Sequence, residues 1–401
     1  MNSSPNAPWK GGRERSDRWR ETLVKGFPPR VSNKLSIDIN MDMVGEGLRK
    51  NNGIFTMSEC PNHLPSYLDG LADSIMNYVW RTNDIVYLND SPRGRMGGQY
   101  FPRPMWEKNG SKDAFRYFTH VATGGSDHIC FNNTMVAVPG IEFFVWPDQW
   151  YHTDTDTPDK SDPTQMKRVA FIGAAAAWAA ANCTDEMLPG LLDAVASFGF
   201  ARVGKRELPA AYRSINAADA KNLAAAVNRS VNLAQFACGR EAEAVTSIQD
   251  IYSGSIPGKQ LIDNYKVQWE THAKSLGLQF LAYGQLRAEQ LKIADLQPPA
   301  PDKLEKQYAN VVPSLHPDVK GREFSMESSE RYKKYLDKNP DALKVANFDM
   351  GQRRFVLNYI NGQRSIVKIR NSVAAETGRD VDLNTLVKFL EFLKAVGWIV
   401  Y

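Results

Sequence analysis

Cysteine is scarce, charge is nearly balanced, and no apolar run is long. The four cysteines, Cys60, Cys130, Cys183 and Cys238, stand far apart in 401 residues. That spacing excludes a zinc ribbon, a paired-cysteine redox motif and a disulfide framework, and the thiols are expected to be mostly buried. With 49 basic against 45 acidic residues the net charge is +4, too small to draw nucleic acid or an anionic membrane by bulk attraction. The longest apolar stretch, Val169–Ala181, falls short of the roughly 20 residues that cross a bilayer. No membrane span is expected, and the stretch reads as a buried helix. The opening MNSSPNAPWKGGRERSDRWRE lacks the apolar centre of a secretory signal. No compartment follows from it.

What is present is material for a core. Hydrophobic residues make up 43% of the chain, and the length suits two or three domains of a soluble globular protein. Residues 1–34, rich in Pro, Gly, Ser and charge without periodicity, read as irregular. From Leu35 to Met43 the alternation of Ile37, Ile39, Met41 and Met43 with Asp38, Asn40 and Asp42 predicts a strand. A helix is predicted from Leu64 to Trp80, with Leu64, Leu68, Leu71, Ile75 and Val79 on one stripe. The Gly, Pro and Arg content of Asn89–Lys112 predicts a long surface insertion. A second strand is predicted at Met135–Trp146, and then a helix with Asp162 as N-cap and Pro163 in its first position.

Residues 184–296 carry apolar residues at three and four spacing and read as several helices. Residues 297–340 begin Gln-Pro-Pro-Ala-Pro-Asp and read as a linker or irregular tract. In residues 341–401 a strand is predicted at Phe355–Ile360. Helices follow at Ser365–Glu376, with Ile366, Ile369 and Val373 inward, and at Leu383–Val396. Gly397 stops the last helix, and Trp398–Tyr401 closes the chain as a strand.

Three stretches carry chemistry when read together. Ile-Asn-Met-Asp-Met-Val-Gly-Glu (residues 39–46) puts Asp42 at the C-terminal end of a predicted strand, where open α/β sheets bind ligands. Gly-Gly-Ser-Asp-His (residues 124–128) is a turn followed by a strand. Trp-Tyr-His-Thr-Asp-Thr-Asp-Thr-Pro-Asp-Lys-Ser-Asp (residues 150–162) enters the apolar helix. Asp154, Asp159 and Asp162 are expected to be solvated or to cap that helix.

In this order and context the three stretches resemble the C-terminal half of the catalytic domain of the co-catalytic zinc aminopeptidases. That family includes bacterial leucyl aminopeptidases and, more distantly, glutamate carboxypeptidases and glutaminyl cyclases. The resemblance implies an α/β fold for residues 35–183, a partial zinc-exopeptidase sheet with flanking helices, and hydrolysis of a peptide substrate. It makes Asp42 a carboxylate ligand of one zinc and His152 an imidazole ligand of the other, both ordinary zinc donors. Asp156 would help to hold the His152 loop. Ser126, Asp127 and His128 would orient ligands or contact substrate.

In such enzymes two zinc ions polarise the scissile carbonyl and acidify a bridging water while a Glu takes its proton. Family members carry a His-x-Asp pair, a bridging Asp and a Glu-Glu pair before the position of Asp42. Here the first histidine is His63, and the only earlier glutamates are Glu14 and Glu21, neither beside another acid. No general-base Glu is found. The chain therefore reads as truncated, with the two zinc ions not fully bound by it alone. The other expectations are completion by another chain or a non-catalytic remnant.

Residues 341–401 resemble the small winged-helix-like α+β module that follows some of these peptidase domains. A regulator that binds DNA is the alternative function. Lys368 and Arg370 lie two residues apart and do not share a helix face, however, and basic residues are sparse for a recognition helix. Docking or self-association is the expected role, and nucleic acid is not an expected partner.

Overall fold

A computed structural model describes residues 37–89 and 105–401, apart from residues 295, 298, 299, 324, 346 and 347. The segment expected to be irregular, residues 1–34, lies outside them, as does most of the predicted insertion at 89–112. The chain divides into two compact units, one holding residues 37–132 and 139–300, the other residues 133–138 and 301–401.

The larger unit is built on a four-stranded sheet. Its strands are β1 (Asp38–Met41), β2 (Ile54–Ser58), β3 (Tyr117–His120) and β4 (Gly140–Trp146), in the order β1-β4-β2-β3. β1 runs parallel to β4 with Asn40 opposite Glu142. β2 runs antiparallel to β4 with Ser58 also opposite Glu142, and β3 runs parallel to β2. One face is apolar. Phe55, Met57, Ile141, Phe143 and Val145 are buried there against Leu68, Ala72, Met76 and Val79 of α1 (Tyr67–Asn89) and Val169 and Ile172 of α3 (Pro163–Ala181). Each of these side chains larger than alanine contributes about 1.5–3 kcal/mol by its burial. On the other face, the short helix α2 (His128–Asn132) follows the turn at residues 124–127.

The remaining helices of this unit are α4 (Leu188–Arg202), α5 (Leu208–Ala217), α6 (Leu223–Thr246) and α7 (Ile256–Gln290). Their second apolar cluster draws in Tyr67 and Leu71 of α1 and Ala176 and Ala179 of α3. A buried ion network ties these helices to the sheet. Arg202, at the end of α4, donates to both carboxylate oxygens of Glu241 at 3.0 and 2.9 Å, to Glu59 at 3.0 Å and to Asp69 at 3.2 Å. Glu59 directly follows β2, Asp69 lies in the first turn of α1, and Glu241 is on α6. Arg240 donates to Glu241 at 2.8 Å and to Glu207 at 2.9 Å.

In the smaller unit, α8 (Lys303–Tyr308), β5 (Ser314–Leu315), α9 (Glu330–Lys338), α10 (Ala342–Val345), α11 (Met350–Tyr359), α12 (Ile366–Thr377), α13 (Leu383–Val396) and β6 (Ile399–Val400) succeed one another. β5 and β6 pair antiparallel. Ile366, Ile369 and Val373 are buried as their spacing predicts, and Gly397 ends α13 with φ +76°.

The structure differs from the sequence reading at several points. β1 is shorter than predicted, and β4 starts at Gly140, because residues 133–137 fold into a turn in which Asn133 accepts from Val136 and Ala137. α1 starts at Tyr67, since Leu64 precedes a proline and is pushed out of the helical region. Phe355–Ile360 is not a strand. Asp349 accepts from the Gln352 amide at 3.0 Å and opens α11, which buries Gln352, Val356 and Tyr359 at helical spacing. The tract expected as a linker or irregular, residues 297–340, carries α8, with a capping box between Asp302 and Glu305, then β5 and α9. α3 is buried on one side only, with Met166, Phe171 and Trp178 exposed. Cys60, Cys183 and Cys238 are buried and Cys130 partly so, all as free thiols.

Arg202 gives the first prediction. Arg202→Met leaves three buried carboxylates without their shared cation and should cost about 3–5 kcal/mol of stability. Arg206→Met, at a partly exposed arginine that also bonds Glu59, should cost clearly less, because Arg202 still pairs with Glu59. Urea unfolding of both variants checks this, and equal losses would contradict it.

Candidate functional site

Strand alternation sets Asp38, Asn40 and Asp42 on the face of β1 away from the apolar core. Asn40 Nδ2 donates to Ser126 Oγ at 2.8 Å, and Ser126 Oγ donates to Asp42 Oδ2 at 2.7 Å. The Asp42 amide donates to the Phe143 carbonyl at 3.0 Å, which holds the strand end on β4. Two of the three sequence motifs, 84 residues apart, thus meet in one hydrogen-bond chain.

The turn at residues 124–128 is anchored from β2. Ser58 Oγ accepts from the Thr123 amide at 2.8 Å, and the Thr123 carbonyl lies 2.8 Å from His128 Nε2. A carbonyl only accepts, so Nε2 carries the proton. His128 is 1% exposed. Its Nε2 also lies 3.7 Å from the carboxylate of Glu142, in the middle of β4. Asp127 is exposed on the same turn.

Glu142 and Asp38 were not read from the sequence as site residues. Burial, with the charge of Asp42 added, pushes the Glu142 carboxyl up to about 7. Burial pushes Asp38 up to about 6, with His128 pulling it back and Asp127 adding to the rise. Glu46, just beyond Asp42, is also raised, first by burial and then by Asp148, Asp156 and Asp42. The available signal was local: a lone carboxylate within Gly140–Trp146, otherwise apolar, directly opposite the polar position of β1.

His152 sits in an exposed loop and stacks on Tyr151 with ring centroids 3.7 Å apart. Its backbone is left-handed, φ +57°, as is that of Met43, φ +54°, directly after Asp42. A non-glycine residue held there costs of order 1–3 kcal/mol, and such strain clusters at functional sites. The Thr153 hydroxyl donates to the Trp150 carbonyl at 2.7 Å and bonds that of Thr155 at 2.7 Å. At the loop's end the carboxylate that makes the contacts is Asp159, with Lys160 at 2.7 Å and with the Thr157 hydroxyl. Asp156 is exposed, and its amide lies 3.4 Å from the Thr153 carbonyl. Asp162 caps α3 through the Thr164 amide at 3.0 Å, as predicted, and also accepts from the Ser111 amide at 2.8 Å.

Asp42 and Ser126 are therefore in contact, with Asp127 and His128 on the same turn. His152 and Asp156 belong to the separate loop that follows β4. Among the described residues, no group of three or more His, Cys, Asp or Glu side chains could hold a metal ion.

Glu142 generates a pH prediction. Its carboxyl is raised from its ordinary 4.5 to about 7, so the folded chain binds a proton that the unfolded chain has released over that window. Stability from this group is complete below about pH 4.5, declines as pH rises through about 7, and is constant above. Urea midpoints at pH 5 and pH 8 should differ less in Glu142→Gln than in the parent chain. An unchanged difference would contradict the assignment.

No curated protein and no solved structure matches this chain. The matching family model is that of peptidase family M28, over residues 76–177. That stretch contains Ser126, Asp127, His128, His152 and Asp156, while Asp42 lies before it, and the match supports a metallopeptidase-family protein.

Proposed function

We propose that the chain is a relative of the zinc exopeptidases of the aminopeptidase type, with Asp42 and His152 as its metal-facing donors. On this reading Ser126, Asp127, His128 and Asp156 orient those donors or face a peptide substrate. The observation that carries it is the Asn40–Ser126–Asp42 hydrogen-bond chain, which fixes one carboxylate at a strand end, as binding sites in open α/β sheets require. The family match over residues 76–177 supports it.

The donor types suit zinc, but as a set they do not fit a pair of zinc ions. Two protein donors cannot hold a dinuclear centre, and no larger group is assembled among the described residues. No hydrolytic step is therefore assigned to this chain alone. It is read as a member of the family that lacks most of the metal ligands and the general base. For residues 341–401 we favour docking or self-association over DNA binding. Arg353, Arg354, Arg364 and Lys394 lie over the rings of Phe389, Phe355, Tyr359 and Tyr401, and Arg370 pairs with Glu305 at 2.6 Å. These cations already have partners within their own unit.

Metal content and aminoacyl-nitroanilide hydrolysis of the purified chain provide the test. The expected outcome is no stoichiometric zinc pair and no turnover. Two zinc ions per chain, with turnover abolished by His152→Ala, would overturn this reading.

A further inference from the structure

β1 stands at the edge of its sheet, paired among the described residues only with β4. The Asp38 and Asp42 amides donate to Pro139 and Phe143 of that neighbour. By the alternation of a parallel ladder, the N–H and C=O groups of Ile39 and Met41 then face outward. An open row of this kind is a template for a further strand.

The two sides of this edge differ in chemistry. On one side lie Asp38 and Asp42, with Glu142 and Asp127 beside them, and among the described residues no Lys or Arg forms an ion pair with any of the four. Among the described residues, the basic side chain beside them is that of His128. On the other side lies apolar surface. Met41 is 42% exposed, and its methyl group fills the space left by the absent side chain of Gly173 on α3. Met166, packed on Gly45, together with Ala170 and Ala177, continues the stripe that contains Gly173, at helical spacing. Met166 is 53% exposed.

A strand that adds here must therefore present cations on one face and apolar side chains on the other. A second copy of this chain does not meet that requirement. Antiparallel pairing of two β1 strands about Asn40 would put Asp38 opposite Asp42, and like charges directly opposed are unfavourable.

We infer that the outer edge of β1 is a docking site for an extended peptide strand of alternating basic and apolar residues. Such a strand bonds to the main chain of Ile39 and Met41, sets its Lys or Arg side chains over the Asp38–Asp42 row, and lays its apolar side chains on Met41 and α3. The site shares Asp42 with the peptidase reading but needs neither metal nor turnover, and binding of a peptide by the metal-free chain is measured apart from zinc content and hydrolysis.

The test uses the full chain and fluorescein-labelled peptides of alternating Lys and Val at pH 8, followed by anisotropy. Binding should weaken with added salt and fall roughly tenfold when the amides facing β1 are N-methylated, since two or more main-chain hydrogen bonds are then lost. N-methylation of the outward amides should leave it unchanged. Replacing Lys by Glu in the peptide should abolish binding. Asp38→Asn should weaken it severalfold, with an unaltered circular dichroism spectrum as the folding control. Equal affinity for both N-methylated peptides, or for the Glu peptide, would overturn the proposal. So would self-association of the chain in sedimentation without peptide binding, which would assign the edge to a second copy.

Discussion

The guanidinium of Arg202 is the constraint on which the larger unit depends. It is shut away from water and divides its donors among three carboxylates, one directly after β2, one at the start of α1 and one in the C-terminal part of α6. Removing a charged group from water is costly, and the arrangement is tolerable only because nearly every donor has an acceptor. The network therefore fixes angles as well as distances, because a fork of planar N–H groups accepts few orientations. Glu59, held this way, also donates its amide to the His120 carbonyl at 2.9 Å. The β2–β3 end is thereby set, and with it Ser58, which anchors the turn carrying Ser126 and His128.

From there the chemistry of the sheet follows a division of faces. The apolar face is an ordinary core. The polar face gathers Asp38, Asn40, Asp42, Ser58 and Glu142 from three strands in register, and burial raises the carboxyls of Asp38 and Glu142 into the near-neutral range. Carboxyls in that range change charge under mild conditions, as groups at binding and catalytic sites often do. His152 is different in kind. It is exposed on a loop whose shape is fixed by threonine hydroxyls and by a left-handed backbone.

Much of this was legible in the sequence, for identifiable reasons. The N-cap at Asp162, the inward stripe of α12 and the stop at Gly397 are local signals, decided by residues within one helical turn, and the structure agrees with each. The alternation in β1 revealed which residues share a face with Asp42. The sequence reading failed where tertiary context decides. Phe355–Ile360 has the residues of a strand, but a cap at Asp349 and three buried positions at helical spacing make it a helix. β2 and β3 are too short to show a period of their own. The Arg202 network could not be seen, because Arg202 and Glu59 alone lie 143 residues apart, and nothing in the immediate surroundings of its members marks them as buried.

β1 has only four residues, and its two faces are opposite in polarity. Sliding it by a single residue along β4 would turn Asp38, Asn40 and Asp42 into the aliphatic layer and bring Ile37, Ile39 and Met41 out beside Glu142. Misaligned pairings are thus rejected by solvation alone. A strand too short to be stable in isolation still carries a register that permits one alignment, and the position of Asp42 is inherited from it.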